Sequence, residues 1–117
     1  MHNDELIKKY PKLYREVSYI ECGDGWFNLL NELSNKIEQH IIKNNIKDMF
    51  AMQVKEKFGG LRFYMTCFDD KVEQWINEAE DKAANTCELC GNAGKIHWTN
   101  GWASCLCSKH LKEKNEK

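Results

Sequence analysis

Gln53-Val-Lys-Glu-Lys-Phe-Gly-Gly-Leu-Arg-Phe-Tyr-Met-Thr66 decides the fold of this chain. Two runs with strand-like alternation meet at Gly59-Gly60, and Gly-Gly between such runs predicts a two-residue hairpin turn, whose central positions favour φ > 0. Counting outward sets Phe58 opposite Leu61, Lys57 opposite Arg62, Lys55 opposite Tyr64 and Val54 opposite Met65. One face then carries Phe50, Met52, Val54, Phe58, Leu61, Phe63 and Met65, a core face. The other carries Gln53, Lys55, Lys57, Arg62, Tyr64 and Thr66, a cationic one. Glu56 is the exception: it falls on the apolar face beside Phe63, where an unpaired carboxylate is expensive to bury. A three-residue loop would pair Glu56 with Arg62 but would set Val54 against Tyr64, so the two-residue turn keeps the better core.

On the N-terminal side, Asp4 to Tyr10 reads as a short helix that Pro11 stops, because a residue before proline is pushed out of the helical region. Lys12 to Glu21 alternates only weakly and stays open between extended and irregular. Glu21-Cys-Gly-Asp-Gly-Trp26 reads as a loop, with Asp24 as the N-cap of the next helix. Trp26, Leu29, Leu30, Leu33, Ile37 and Ile41 recur at helical spacing to about Lys43, with Glu32, Lys36 and Glu38 elsewhere on the cylinder. After the hairpin, Asp70 and Glu73 have the form of a capping box, and Val72, Trp75, Ile76, Ala79 and Ala83 form the stripe of a second long helix. A two-stranded hairpin is marginal alone. Both helices, or a third strand from Lys12 to Glu21, are expected to support it.

The second decisive stretch is C-terminal. Cys87-Glu-Leu-Cys90 and Cys107-Ser-Lys-His110 are two ligand pairs of metal spacing. A Cys-x-x-Cys-Gly knuckle offers two thiolates from one tight turn, with Gly91 supplying the conformation a side chain resists. Between the pairs, Lys95 to Trp98 and Trp102 to Cys105 read as short strands, and a polar helix opens at Ser108. Knuckle, hairpin, then ligands on the first turn of a helix resembles a treble-clef zinc finger, with Zn2+ as a structural cofactor. Cys105 and Cys107 form a Cys-x-Cys, so Cys105 in place of His110 is the alternative fourth ligand. Cys107 and His110 are preferred because a helix start turns both inward and leaves Cys105 as a small apolar strand residue. Glu88 is the one acid beside these ligands and reads as solvated. Cys22 and Cys67 read as buried thiols, and His2, His40 and His97 have no ligand spacing.

The expected fold is therefore α+β, two helices packed on a central antiparallel β-hairpin with a C-terminal treble-clef-like zinc finger. Residues 1–85 form the body and 86–117 the module packed on it. Lys+Arg of 17 against Asp+Glu of 18 leaves the chain near neutral, which argues against a general nucleic-acid binder. The polar, acidic start Met1-His-Asn-Asp-Glu5 is unlike a signal peptide, and no apolar run reaches membrane-spanning length. A cytoplasmic setting follows as the expectation, with cysteines as thiols and metal ligands.

Lys57 across from Arg62 opposes like charges, at up to about 1 kcal/mol. A bridging anion, phosphate or carboxylate, would offset this, with Lys55, Lys57 and Arg62 as its ligands and Tyr64 as a surface for a base. A solvated outer face is the plainer alternative. The loop Gly23-Asp24-Gly25 before Trp26 reads as a cap with a core tryptophan rather than an anion loop, since Asp24 would repel an anion. A catalytic triad, a phosphate loop and paired acids in an apolar setting are absent as patterns, so no enzyme is expected.

Three stretches together, Glu21-Cys-Gly-Asp-Gly-Trp-Phe-x-Leu-Leu30, Gln53 to Tyr64, and Thr86-Cys-Glu-x-Cys-Gly through Gly101-Trp to Leu106-Cys-x-x-His110, resemble a family of small zinc-binding proteins of tailed phages and prophages, of unsettled function. The resemblance spans most of residues 20–110. It implies Cys107 and His110 as the ligand pair, and a small hydroxyl residue is more usual in that family where this chain has Cys105. It also implies work inside a host bacterium. The resulting expectation is a non-enzymatic accessory protein that counters host defence by binding a nucleotide-type signal or a defence protein, alone or as a homodimer. The alternative is a zinc-finger nucleic-acid-binding regulator using Lys95, Lys109, Lys112 and Lys114.

Overall fold

The computed structural model describes residues 1–115. Four helices and two antiparallel hairpins make it α+β: α1 (Glu5–Lys9), α2 (Phe27–Lys43), β1 (Ala51–Lys57), β2 (Gly60–Met65), α3 (Asp70–Ala83), β3 (Lys95–Thr99), β4 (Trp102–Leu106) and α4 (Ser108–Asn115). The molecule is long, 50 × 25 × 20 Å. One core joins Leu29, Leu30, Leu33, Ile37 and Ile41 of α2 to Val72, Ile76, Ala79 and Ala83 of α3 and to Val54, Leu61 and Phe63 of the first hairpin. These are the stripes that the apolar spacing marks, and burying them against one another is the main source of stability.

The hairpin turns one residue earlier than the glycines suggest, which moves each residue's cross-strand partner by two. Lys57 pairs with Gly60, Glu56 with Leu61, Lys55 with Arg62, Val54 with Phe63 and Gln53 with Tyr64. Phe58 and Gly59 are the turn, at φ 54° and 82°. Two positive φ values match the twist of the flanking strands, and an even shift of register keeps Val54, Leu61 and Phe63 on the core face. Lys57 is therefore not opposite Arg62. Phe58 leaves the core face and is exposed, because it sits in the turn itself. At the other end a bulge between Ala51 and Gln53 flips the alternation, so Ala51 and Met49 are buried while Met52 is exposed and Phe50 only half-buried. Glu56 is accommodated locally: its carboxylate accepts the Gly59 N–H at 2.7 Å.

Residues 10–21, left open by pattern, are the strap that closes the body. Tyr10, Leu13, Tyr14, Val17 and Ile20 all join the core. Glu38 is buried rather than solvated, and it accepts the Leu13 and Lys12 N–H groups at 2.8 and 3.3 Å. The Tyr14 hydroxyl bonds Ser34 at 2.5 Å, and burial pushes the phenol above its ordinary range. The strap reaches β1 through a parallel bridge, Glu21 to Lys55, giving the hairpin a third partner.

Both helix caps differ from expectation. Asp24 makes no side-chain cap; a 3-10 turn over Asp24–Trp26 leads into α2, and the Asp24 carboxylate instead accepts the Asn3 N–H at 2.9 Å. Asp69, not Asp70, caps α3. Asp69 is extended, and its Oδ1 accepts from Lys71 and Val72 at 3.0 and 3.1 Å. Asp70 already has helical geometry as the first residue of α3, so its oxygens cannot fold back to those amides. Among the described residues no helix is long and apolar enough to cross a membrane.

Candidate metal centre

Four short elements converge at the C-terminal end. The knuckle turns at Cys87–Cys90, where the Gly91 N–H donates to the Cys87 carbonyl at 2.9 Å and Gly91 takes φ 83°. β3 and β4 carry the chain out and back in register from Lys95 opposite Leu106 to Thr99 opposite Trp102. Cys107 ends that return, and α4 opens at Ser108, so His110 lies one turn on, facing the knuckle.

Sγ of Cys87, Cys90 and Cys107 and a ring nitrogen of His110 all lie within 4.8 Å of one another. The Cys90–Cys107 sulfur separation is 3.7 Å, and His110 Nδ1 lies 3.6 Å from Cys87 Sγ and 3.2 Å from Cys107 Sγ. A tetrahedron with Zn–S of about 2.3 Å and Zn–N of about 2.0 Å has S–S edges near 3.8 Å and S–N edges near 3.5 Å. Three of the cluster's six edges are close to those values, and all six lie within 4.8 Å. It can hold a metal ion, and its three sulfurs and one imidazole suit zinc. Nε2 of His110 faces Glu113 Oε2 at 3.9 Å, the outer carboxylate a ligating imidazole usually has.

The fold favours thiolates at Cys107 and Cys87, while at Cys90 the Asn92 N–H is outweighed by the neighbouring Cys87 and Cys107 sulfurs, which hold that thiol above its ordinary value. Cys107 is lowered to about 6, first by the His110 backbone N–H and then by its imidazole. Burial raises Cys87, but N–H groups of Cys107, Cys90 and Leu89 outweigh it and the thiol ends lowered. His110 is raised by the neighbouring Cys107 and Cys87 sulfurs.

Cys105 stands outside the cluster. It is fully buried, and its thiol donates toward the carbonyls of Thr86 at 3.1 Å and Ala83 at 3.2 Å, tying β4 to the end of α3. Cys67, expected to be buried, is exposed just past β2, while Cys22 is half-buried and pushed up to about 12 by burial and then by Glu88.

The knuckle also grips the body, and spacing alone does not signal this. Glu88 is not a solvated acid: its Oε2 accepts the Gly23 N–H at 2.8 Å, and its backbone carbonyl accepts the Gly25 N–H at 2.7 Å. Burial raises the Glu88 carboxyl, and the Gly23 bond opposes that. Trp26 is fully buried and donates Nε1–H to the Thr86 carbonyl at 2.8 Å. A Cβ on Gly25 would lie 2.3 Å from the Cys87 carbonyl oxygen. Gly23-Asp24-Gly25-Trp26 is thus a receptor for the knuckle backbone, which accounts for its glycines without an anion.

The cationic face is less concentrated than its sequence suggests. Glu21, Lys55 and Arg62 stand in one cross-strand row. Lys55 and Arg62 remain opposed like charges, but Glu21 lies on one side, and on the other Arg62 offsets part of the burial that raises the Glu80 carboxyl. Lys55 Nζ sits 5.9 Å from the Tyr64 ring centre, and Lys57 Nζ 5.5 Å from that of Phe58. Lys57 is out at the turn, and Tyr64 borders a groove it shares with Glu16 and Glu21. Hence Lys55, Lys57, Arg62 and Tyr64 do not close on a single point. Compared against family models, curated proteins and solved structures, the chain matches none.

Proposed function

We propose that this chain is a non-enzymatic binding protein in which Cys87, Cys90, Cys107 and His110 hold a structural zinc ion in a treble-clef-type module. We further propose that it serves a tailed phage by engaging a host defence protein. The observation that carries the reading is a cluster of four protein donors, enough to complete a tetrahedral shell, together with large apolar side chains left in solvent on the hairpin between the two ligand pairs. Trp98 and Trp102 are 66% and 73% exposed on the second hairpin. Monomeric proteins seldom leave two tryptophans so open on one small element unless they meet a partner. The acids flanking the Lys55–Arg62 row favour a protein target over a nucleotide-type signal.

The test is to express the chain in bacteria carrying single defence systems and to score phage plating, with purified protein screened in parallel by thermal shift. The expected outcome is rescued plating against at least one system and no shift with cyclic or ADP-ribose-type nucleotides. A shift of several degrees that is lost on Lys55→Ala or Arg62→Ala would move the target to a nucleotide. Salt-sensitive retention on a DNA column, with no rescue of plating, would overturn the reading in favour of a nucleic-acid regulator.

A further inference from the structure

The strap and the chain leaving α2 enclose a cavity of about 500 Å³ that neither the metal centre nor the first hairpin uses. Its shape comes from how α2 ends. Asn45 takes φ 49°, a conformation Asn tolerates, and the chain folds back on the helix. The Asn45 and Ile46 N–H groups donate to the Ile42 and Ile41 carbonyls at 3.2 and 3.0 Å, the bonding of a helix that stops in a left-handed residue. Ile42, 48% exposed, and Ile46, half-buried, give the cavity an accessible apolar wall, and the buried Met49 also lines it. Its charged lining is cationic only: Lys12, Arg15 and Lys47. Among the described residues no carboxylate oxygen lies within 4.0 Å of these three cations. Arg15 is already fixed in place. Its Nη2 donates to the Lys47 carbonyl at 2.7 Å, and its guanidinium carbon lies 4.1 Å from the Phe50 ring centre. A guanidinium has five N–H donors in a rigid fork, so a ligand meets donors that are ordered before it arrives. The acids nearby in sequence are engaged or elsewhere. Glu38 is buried and takes the backbone N–H groups of Lys12 and Leu13, and Glu16 lines a separate groove with Tyr19 and Glu21. Asp48 is exposed and does not line the cavity. The partial negative charge at the end of α2 is blunted, because Asn45 and Ile46 take two of its last carbonyls.

We infer that this cavity binds a small amphipathic anion, a carboxylate or phosphate carried on an aliphatic chain. Arg15 anchors the anionic head with Lys12 and Lys47 beside it, and the chain lies along Ile42 and Ile46. The volume is that of a small-molecule site, and an apolar wall with a few convergent polar groups is the usual lining of one. A bilayer is the weaker source of this chemistry, because a cavity between two segments admits one chain rather than a plane of headgroups. A nucleotide is weaker too, since its sugar would meet Ile42 and Ile46, which offer no hydrogen bond. The site goes beyond the protein-binding reading above and shares no residue with the metal cluster or with the second hairpin.

The experiment follows the backbone amide NMR signals of the metal-loaded full chain as octanoate or octyl phosphate is added. Acetate, octylammonium and vesicles of phosphatidylcholine with phosphatidylglycerol are the comparisons. Expected are saturable shifts at Ile42, Asn45, Ile46 and Lys47 with both octyl anions, and binding at least roughly tenfold weaker for acetate, which lacks the chain, and for octylammonium, which has the wrong charge. Lys12→Ala and Lys47→Ala should each weaken octanoate binding roughly threefold. Arg15→Lys should weaken it roughly tenfold, because the charge stays but the planar fork is lost. Ile42→Ser should weaken it roughly fivefold through the apolar wall. Lys71→Ala, an exposed lysine on α3, should bind as wild type. Octylammonium bound as tightly as octanoate would overturn the anionic class of ligand. Undiminished binding by Arg15→Lys, Lys12→Ala and Lys47→Ala would overturn the site. No saturable shift with either octyl anion would overturn the inference outright, and binding to the vesicles alone would overturn it in favour of a membrane surface.

Discussion

Phe58 and Glu56 show how a hairpin register is chosen at the scale of single residues. Gly59 and Gly60 both accept the turn conformation, so glycine content does not discriminate between a turn at Phe58-Gly59 and one at Gly59-Gly60. The earlier turn lets the Glu56 carboxylate take the Gly59 N–H, and it sets Val54 against Phe63, both buried. The later one leaves that carboxylate beside Phe63 with no donor. Strain at Phe58 is the opposing term, on the order of 1 kcal/mol, and it is offset by the charge-assisted bond of the half-buried Glu56 carboxylate together with the burial of Val54 against Phe63. Because Asn tolerates this conformation, Phe58→Asn is expected to raise the unfolding free energy by about 0.5–1 kcal/mol in urea denaturation. A destabilised variant would mean that the ring packs in the folded state for more than its strain. These few local terms separate the two registers, which is why alternation along the strands identifies the faces but not the pairs.

Among the elements, the amphipathic helices were legible in sequence and their ends were not. The stripes of α2 and α3 follow from many residues acting together, so one misread position changes little. A cap rests on a single oxygen, and Asp69-Asp70 offers two. Asp69 wins because it is extended and also meets His40 Nε2 at 3.1 Å, a partner supplied by the C-terminal turn of α2 and invisible to local pattern. That contact is the first cause holding the Asp69 carboxyl below its ordinary value, with the Val72 N–H next. A carboxyl lowered in the folded state contributes stability above its unfolded pKa of about 3.9 and loses it as pH falls through the folded value. Asp69→Ala should therefore cost about 1 kcal/mol near neutrality, and the gap to wild type should narrow below about pH 4. Denaturation curves at several pH values check this, and a gap that stays constant down to pH 2.5 would show that the cap works without its charge. The strap at residues 10–21 was illegible for a related reason. Its backbone is satisfied by Glu38 and by β1, both remote in sequence.

For the whole molecule, the question is how the metal centre and the body hold each other. The ligand spacing picks out the four side chains that the fold brings together, because metal-binding geometry is a local constraint on turns. It did not reveal that Gly25, Trp26 and Glu88 dock the knuckle, since close backbone approach leaves no pattern beyond glycine. Gly25→Ala would drive a Cβ into the Cys87 and Glu88 backbone and should cost on the order of 3 kcal/mol while weakening zinc retention. Gly101→Ala is the control: φ is 83° but nothing lies within 4 Å, so it should cost about 1 kcal/mol and spare the metal. Metal removal tests the coupling itself. Structural zinc contributes folding free energy directly, and each kcal/mol lost lowers Tm by about 4 °C in a chain of this size. Chelation should therefore lower Tm by well over 10 °C and alter the near-ultraviolet signal of Trp26, whose indole donates to the residue next to Cys87. Zinc content by mass should be one per chain in wild type and in Cys105→Ser, and should fall in Cys107→Ser and His110→Ala. A chelated chain with unchanged Tm would uncouple the cluster from folding. Loss of zinc in Cys105→Ser with retention in His110→Ala would return the fourth ligand to Cys105, against the hydrogen bonds that now hold its thiol to the end of α3.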